Sequence, residues 1–113
     1  MKEGDIILTP MPQADGKVKN RPAIYLREMP PFRDALVCGV STQTHQLAPD
    51  FDELITSQDS DFSSSGLVSD SLIRLGFLAV LPRRNIIGSI GSISPERHKR
   101  LLHSLSEYLV KTS

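Results

Sequence analysis

The 113-residue chain has a single cysteine, Cys38, which excludes an internal disulfide and a cysteine-rich zinc site. Because Cys38 lies within the apolar run 36–40, we expect a small buried side chain rather than a reactive thiol. No apolar stretch approaches the length of a transmembrane helix, and residues 1–5 carry no signal-peptide core. The sequence therefore predicts one cytoplasmic domain over residues 1–113, with no membrane partner.

Several common catalytic motifs are also missing. The chain has no His-Glu-x-x-His pattern and no Gly-x-x-x-x-Gly-Lys loop. Its three histidines are scattered, and we interpret His98 and His103 as surface residues of a helix. The glycine-rich stretch 88–91 predicts a turn, because no helix follows directly to present amides to a phosphate. Metal-dependent and triad hydrolases are therefore disfavoured, and we expect no metal and no cofactor.

The chain lacks a net charge, since 13 Lys and Arg balance 13 Asp and Glu. The basic residues are nevertheless clustered, and Lys17, Lys19, Arg21 and Arg27 gather near one predicted strand. A basic face can bind phosphates in a neutral protein, because the local field matters more than the net charge. We interpret the second basic group, at 97–100, as a solvated helix face.

Short apolar runs between prolines and glycines predict a mainly β fold. The first three strands are expected at 5–9, 21–27 and 35–41, with prolines ending the first strand and a loop over 11–20. Three such strands with short connectors favour an antiparallel meander, which can form a small barrel. Weaker strand signals follow at 52–56, 67–75 and 77–81, and residues 83–90 predict a last short strand or turn.

The final helix is the clearest element of the sequence. Ser94 is a good N-cap, Pro95 suits the first helical position, and Glu96 favours the positive end of the helix dipole. The apolar residues at helical spacing, which must pack against the sheet, are Leu101, Leu102, Leu105, Tyr108 and Leu109.

Five short motifs occur in a fixed order along the chain. They are Gly-Asp-Ile at 4–6, Arg-Pro-Ala-Ile at 21–24, Val-Ser-Thr at 40–42, Ser-Asp-Ser-Leu-Ile-Arg at 69–74, and Ile-Gly-Ser-Ile-Ser-Pro-Glu at 90–96. Together, and over nearly the whole chain, they resemble the PemK/MazF family of toxin ribonucleases. The resemblance implies a mainly β (α+β) fold, an SH3-like small antiparallel barrel with a C-terminal α-helix.

The same resemblance implies a function. It is that of a homodimeric, metal-independent and sequence-specific endoribonuclease toxin that cleaves single-stranded RNA by attack of the ribose 2′-hydroxyl. The implied protein partner is a cognate antitoxin, whose acidic and disordered tail would block the RNA groove.

The resemblance also implies roles for single residues. Arg21 and Arg74 resemble arginines that bind or polarise the scissile phosphate, a task that suits a planar and permanently charged group. Ser41 and Thr42 resemble the hydroxyl pair that lines the site. The RNA-binding positions that we predict beside them are Asp5, Lys17, Lys19 and Asp70.

Each of these roles has a structural alternative. Ser41 and Thr42 would also suit ordinary hydrogen bonding at a strand end, and Asp5 would suit a turn. Arg74 lies between apolar residues, where a structural ion pair is the competing interpretation.

One departure from the family pattern weakens the catalytic inference. Some members carry an acidic residue two positions after the arginine that corresponds to Arg74, and here that residue is Gly76. The loss of a proton-transfer group can cost roughly 10²–10⁴ in rate. Asp70 and Asp15 are the candidate substitutes. Two alternatives therefore stay open: a non-catalytic PemK-like module that binds nucleic acid or protein, and a gyrase-poisoning toxin of the CcdB type.

Overall fold

The computed structural model describes residues 1–12 and 14–112 as one antiparallel sheet with two helices. The strands are β1 (Asp5–Pro12), β2 (Val18–Met29), β3 (Asp34–Ser41), β4 (Glu53–Ile55), β5 (Ser71–Leu81) and β6 (Gly88–Ser92). The short helix α1 (Phe62–Ser65) precedes β5, and the long helix α2 (Pro95–Val110) follows β6. Single 3-10 turns lie at Thr44–Gln46 and Arg83–Asn85.

The strands form one sheet in the order β4-β5-β3-β2-β1-β6. Every neighbouring pair is antiparallel, and the sheet curls into a half-barrel whose edges are β4 and β6. This confirms the predicted mainly β fold, a small antiparallel barrel with a C-terminal helix. Strands β2 and β3 lie in the middle of the sheet, and most of their apolar residues are buried.

Apolar side chains are buried on both faces of the sheet. One cluster joins Ile6, Ile24 and Leu75 to Leu101 and Leu105 of α2. A second cluster lies on the opposite face and is built from Ile7, Ala23, Tyr25, Ala35 and Val37. Because successive strand residues point to opposite faces, the adjacent pairs Ile6/Ile7 and Ala23/Ile24 supply both clusters. Burial of each large aliphatic side chain contributes about 1.5–3 kcal/mol.

The hairpin of β1 and β2 is longer than the sequence predicts. Pro10 and Pro12 do not end β1, because they pair with Asn20 and Val18 of β2. On its other side β1 pairs with β6 only as far as Leu8, so a missing proline N–H on that side breaks no ladder hydrogen bond. The connection between the strands is therefore 13–17 rather than 11–20, and residue 13 lies outside the described residues.

The glycine-rich stretch 88–91 is part of strand β6, and the prediction of a turn is wrong there. Helix α1 packs directly across this strand. A Cβ atom at Gly91 would collide with the carbonyl oxygen of Ser64. Close approach of the two backbones, and not a turn, is what requires glycine at this position.

Strand β5 contains a bulge where the sequence suggests a break between two strands. Gly39 of β3 pairs with Arg74, whereas the preceding Cys38 pairs with Leu78. Residues 75–77 therefore have no partner on β3. Bulges of this kind bend a strand and redirect its side chains.

Helix α2 begins as predicted. The Ser94 Oγ atom accepts a hydrogen bond from the Arg97 amide at 3.1 Å, and Pro95 occupies the first turn. His98 differs from the prediction, because it is half-buried with its Nε2 atom 2.7 Å from the Leu26 carbonyl oxygen. In the described part of the chain, neither helix combines the length and the apolar character that a membrane span requires.

The prediction of a solvated basic face is wrong for Arg97, which is only 5% exposed. Its guanidinium donates hydrogen bonds to Asp61 at 2.8 Å, to Glu53 at 2.9 Å and to the Leu54 carbonyl at 3.0 Å. Arg97 thus joins α2 to the segment that runs from β4 to α1. Lys99, Arg100, His103 and Glu107 of α2 face water as predicted. The prediction that Tyr108 and Leu109 are buried against the sheet is wrong, because they are 60% and 68% exposed.

Candidate functional site

A cleft of about 320 Å³ lies where β2, β3 and β5 meet. The register of the sheet forms it, because Gly39 of β3 pairs with Ala23 on one side and with Arg74 on the other. Side chains of β2, of the end of β3 and of β5 therefore line the same cleft. The residues that line the cleft are Met11, Arg21, Gly39, Val40, Ser41, Thr42, Gln43, Arg74 and Phe77.

All four residues predicted to be catalytic line this single cleft. Arg21 comes from β2, Ser41 and Thr42 from the end of β3, and Arg74 from β5. In sequence they are up to 53 positions apart, and the antiparallel pairing of the central strands brings them together. The structure supports their grouping, while their catalytic role stays a prediction.

Arg74 is half-buried and has no carboxylate partner among the described residues. Its guanidinium carbon lies 6.0 Å from the centroid of the Phe77 ring, at cation–π distance. The structural ion pair considered from the sequence is therefore not formed within residues 1–12 and 14–112. The donors of this guanidinium face a cleft that is large enough to admit a phosphate.

Arg21 is exposed on β2, opposite Thr9 of β1. Lys19 lies two residues earlier on the same strand and therefore on the same face of the hairpin. Lys17 is exposed just before β2 begins, and its backbone amide donates to the Asp15 carboxylate at 2.9 Å. The two lysines lie outside the cleft itself, on the hairpin that carries Arg21.

The hydroxyl pair stands at the turn that follows β3. The Ser41 Oγ atom accepts a hydrogen bond from the Gln43 amide at 3.0 Å, which fixes the side chain of Ser41. The hydroxyl proton of Ser41 stays available as a donor, because a serine oxygen both accepts and donates. Thr42 is exposed at the rim of the same cleft.

The two acidic residues predicted to bind RNA lie outside the cleft. Asp5 is 7% exposed, and its carboxylate accepts from the Lys2 amide at 2.9 Å. Asp70 is exposed and accepts from the Ser57 amide at 3.0 Å. Neither carboxylate is among the residues that line the cleft, and their role in RNA binding stays a prediction.

Gly76 also points away from the cleft. It lines a separate groove between β5 and α2, where a Cβ atom would lie 3.8 Å from the Phe51 ring. Among the described residues that line the cleft there is consequently no carboxylate and no imidazole. The described residues also contain no group of three His, Cys, Asp or Glu side chains that is arranged to hold a metal ion.

Cys38 is fully buried next to the strand position that forms the cleft floor. Burial raises the pKa of its thiol to about 12, which keeps it protonated at neutral pH. Since the thiolate is the nucleophilic form, Cys38 is an inert core residue, as its apolar sequence context predicts.

The sequence interpretation missed five cleft residues: Met11, Gly39, Val40, Gln43 and Phe77. Phe77 is 46% exposed, and its ring packs where Gly39 has no side chain. A Cβ atom at Gly39 would lie 2.9 Å from the Phe77 Cδ1 atom. An isolated glycine within a strand pattern is the signal that was available, because it indicates close approach of another group.

Known proteins share both the sequence pattern and the fold. The family described as "PemK-like, MazF-like toxin of type II toxin-antitoxin system" matches residues 2–109. Among solved structures, the Mycobacterium tuberculosis toxin MazF-mt6 superimposes with a TM-score of 0.67 at 18% identity, covering 96% of this chain and 99% of that chain. No curated protein sequence gives a significant match. At this identity the structural likeness establishes a common fold, and the match over residues 2–109 shows that the chain belongs to the PemK-like, MazF-like family of type II toxins.

Proposed function

We propose that this chain is the toxin of a type II toxin–antitoxin pair and that it cleaves single-stranded RNA in the cleft of Arg21 and Arg74. The observation that carries the proposal is Arg74, an arginine with no carboxylate partner among the described residues, in one cleft with a second arginine and two hydroxyls. An arginine in that setting has donors for an anion from outside, and phosphate matches their geometry.

The reaction that suits these groups uses the substrate as its own nucleophile. The ribose 2′-oxygen attacks the adjacent phosphorus, and the bond from phosphorus to the 5′-oxygen breaks. The products are a 2′,3′-cyclic phosphate and a 5′-hydroxyl, and no metal ion is needed. The two guanidiniums stabilise the negative charge that builds on the non-bridging oxygens. The hydroxyls of Ser41 and Thr42 orient the phosphate for in-line attack.

Proton transfer in this scheme falls to water. The described lining of the cleft carries no carboxylate and no imidazole, and the acids Asp15 and Asp70 are engaged elsewhere by the amides of Lys17 and Ser57. Catalysis therefore rests on charge stabilisation and orientation. These effects remain available when the general acid or base of other family members is missing.

The surroundings of the cleft fit a nucleic-acid strand. Lys17 and Lys19 are exposed on the hairpin that carries Arg21, where they would meet phosphates that flank the cut. An antitoxin with an acidic, disordered tail would compete for the same positive charges. A homodimer acting in the cytoplasm completes the proposal.

The first test is incubation of the purified chain with a long single-stranded RNA in EDTA. We expect discrete cuts with 5′-hydroxyl and cyclic phosphate ends. Arg74→Ala and Arg21→Ala should each lower the cleavage rate about 10²–10³-fold, as for loss of one donor to a developing oxyanion. The matched control is Arg84→Ala, which removes an exposed arginine outside the cleft and should leave the rate unchanged.

A second candidate function, the non-catalytic binding module, is favoured by Gly76 and by the lack of an acid in the described lining. Under that function, folded protein would leave the RNA intact and bind it, and Arg74→Ala would weaken the binding. Intact RNA with no binding would contradict both functions. Cleavage that persists when the nucleotides at the cut lack a 2′-hydroxyl would rule out the mechanism.

A further inference from the structure

Phe77 is an aromatic residue that a soluble protein gains little by exposing. Phe77 is 46% exposed, although Leu75, two residues earlier on the same strand, is fully buried. It lines the cleft with Arg74 and Arg21. Exposed aromatic rings beside cations are the usual elements of single-strand binding surfaces, where bases stack on the rings.

The position of the Phe77 ring is set by two backbone features. The bulge at 75–77 takes Phe77 out of register with β3, and Gly39 leaves the space above the sheet into which the ring packs. The ring therefore lies against a strand position that has no side chain of its own. The free protein thus places an accessible aromatic ring inside the cleft, where a ligand can contact it.

The Phe77 ring lies next to Arg74, the residue proposed to bind the phosphate. The Arg74 guanidinium carbon lies 6.0 Å from the ring centroid. In a nucleotide the base and the phosphate are separated by one ribose, so a phosphate at Arg74 brings an adjoining base to the ring.

We propose that Phe77 is the stacking platform for a base next to the scissile phosphate, and that it fixes the register of the strand in the cleft. This inference rests on the proposed function, because it takes single-stranded RNA as the ligand. Stacking accepts any base, and purines offer the larger face. Phe77 would thus set where the strand lies, and contacts elsewhere would select the sequence.

Phe32 provides a matched control on the same protein. It is 79% exposed at the turn between β2 and β3, away from the cleft. The adjacent Arg33 is paired with Glu28 at 2.8 Å, whereas Arg74 has no carboxylate partner within the described residues. An effect of aromatic character alone would appear at both positions, and a stacking effect only at Phe77.

The test measures binding without cleavage. Fluorescence anisotropy follows the full chain with labelled oligodeoxyadenylate, which has no 2′-hydroxyl, and with the same backbone lacking bases. Stacking of one base predicts that Phe77→Leu weakens binding of the oligodeoxyadenylate about 5- to 150-fold, while Phe77→Tyr and Phe32→Leu stay within about twofold of the original chain. The affinity of the original chain should fall far more between the oligodeoxyadenylate and the abasic strand than the affinity of Phe77→Leu does.

A second variant covers a failure of Phe77→Leu to fold, which thermal unfolding would reveal. Gly39→Ala keeps the aromatic ring but forces it to move, because the new Cβ would lie 2.9 Å from Cδ1. It should weaken binding of the oligodeoxyadenylate more than it weakens binding of the abasic strand.

Equal affinity of Phe77→Leu and the original chain would overturn the proposal. The proposal would also be overturned if removal of the bases lowered the affinity of Phe77→Leu and of the original chain by the same factor. A complete lack of binding by the original chain would overturn it as well. RNA cleavage in EDTA separates the two inferences. Cleavage with unaffected binding by Phe77→Leu overturns stacking alone, whereas base-dependent binding through Phe77 without cleavage overturns only the ribonuclease activity.

Discussion

Two arginines, Arg97 and Arg74, show how the same side chain serves two regions of this molecule. Arg97 is 5% exposed, and its charge is matched by Asp61 at 2.8 Å, Glu53 at 2.9 Å and Asp59 at 3.3 Å. Arg74 is half-buried, and no described carboxylate pairs with it. The sequence suggested the reverse, a solvated Arg97 and a possible ion pair for Arg74.

The contacts of the two arginines indicate a structural role for Arg97 and leave Arg74 available to an external ligand. The donors of Arg97 are occupied by protein acceptors, so Arg97 holds α2 to the segment from β4 to α1 and has little left for a ligand. Arg74 has only the face of Phe77 beside it among the described contacts. A partly desolvated guanidinium without a protein anion can be completed by an external anion, which supports the proposed role of Arg74 in binding phosphate.

The largest expected effect comes from Arg97→Ala. This change leaves Asp61 without its ion-pair partner, while Glu53 keeps its pair with Arg100 at 3.1 Å. Breaking a buried pair from one side costs about 3–5 kcal/mol of unfolding free energy. Arg74→Ala should lower the same quantity by only about 0.5–1 kcal/mol, because it loses the cation–π contact with Phe77 and no described ion pair. Urea unfolding of both variants at neutral pH measures the contrast. Equal losses in the two variants would abolish the distinction.

The acid dependence of stability sharpens the contrast. Burial opposes ionisation of Asp61, but hydrogen bonds from Arg97 and the Ser94 amide, with the charge of Arg97, outweigh it and hold the Asp61 pKa below its ordinary value. A carboxyl with a lowered folded pKa stabilises the protein above the unfolded pKa of about 3.9 and loses that contribution as the pH falls through the folded pKa.

Arg97→Ala removes most of this contribution, because Arg97 supplies a hydrogen bond and a charge that lower the Asp61 pKa, and only the backbone hydrogen bonds remain. The gap in unfolding free energy between the original chain and Arg97→Ala should therefore be widest at neutral pH and narrow below about pH 4. Urea unfolding repeated across that range measures the gap. A gap that widens in acid would show that Asp61 does not depend on Arg97.

The smallest expected effect concerns Gly76. An aspartate there would face the groove between β5 and α2, where its Cβ atom would meet the Phe51 ring at 3.8 Å, an ordinary contact distance. Gly76→Asp should therefore change RNA cleavage by less than about threefold, against the roughly 10²–10⁴ that a true general acid or base supplies. Gly76→Ala is the control for the backbone. A large gain in cleavage with aspartate alone would mean that position 76 reaches the cleft.

Prediction from the sequence worked where the signal is local. The cap at Ser94, strand β3 and the short strand β4 follow from residue type and spacing, and the structure confirms them. The length of the β1–β2 hairpin could not be predicted from the sequence. Strand β1 can contain Pro10 and Pro12 because its pairing with β6 ends at Leu8, and that end point depends on the tertiary structure. Strand β6 was predicted only in part, as a strand or turn over 83–90, and the interpretation of 88–91 as a turn was wrong because the need for glycine at Gly91 comes from the approach of α1.

By itself, the sequence determined the order of the motifs, and with it the family, the mainly β fold and four of the residues that line the cleft. Only the tertiary structure decided which charges are satisfied. Arg97 meets Asp61 across 36 positions of sequence, Arg74 meets none of the described acids, and Phe77 reaches Gly39 only through the bulge in β5. The physical reason is that burial and pairing of a side chain depend on groups that are distant in sequence, whereas strand and helix propensities act between near neighbours.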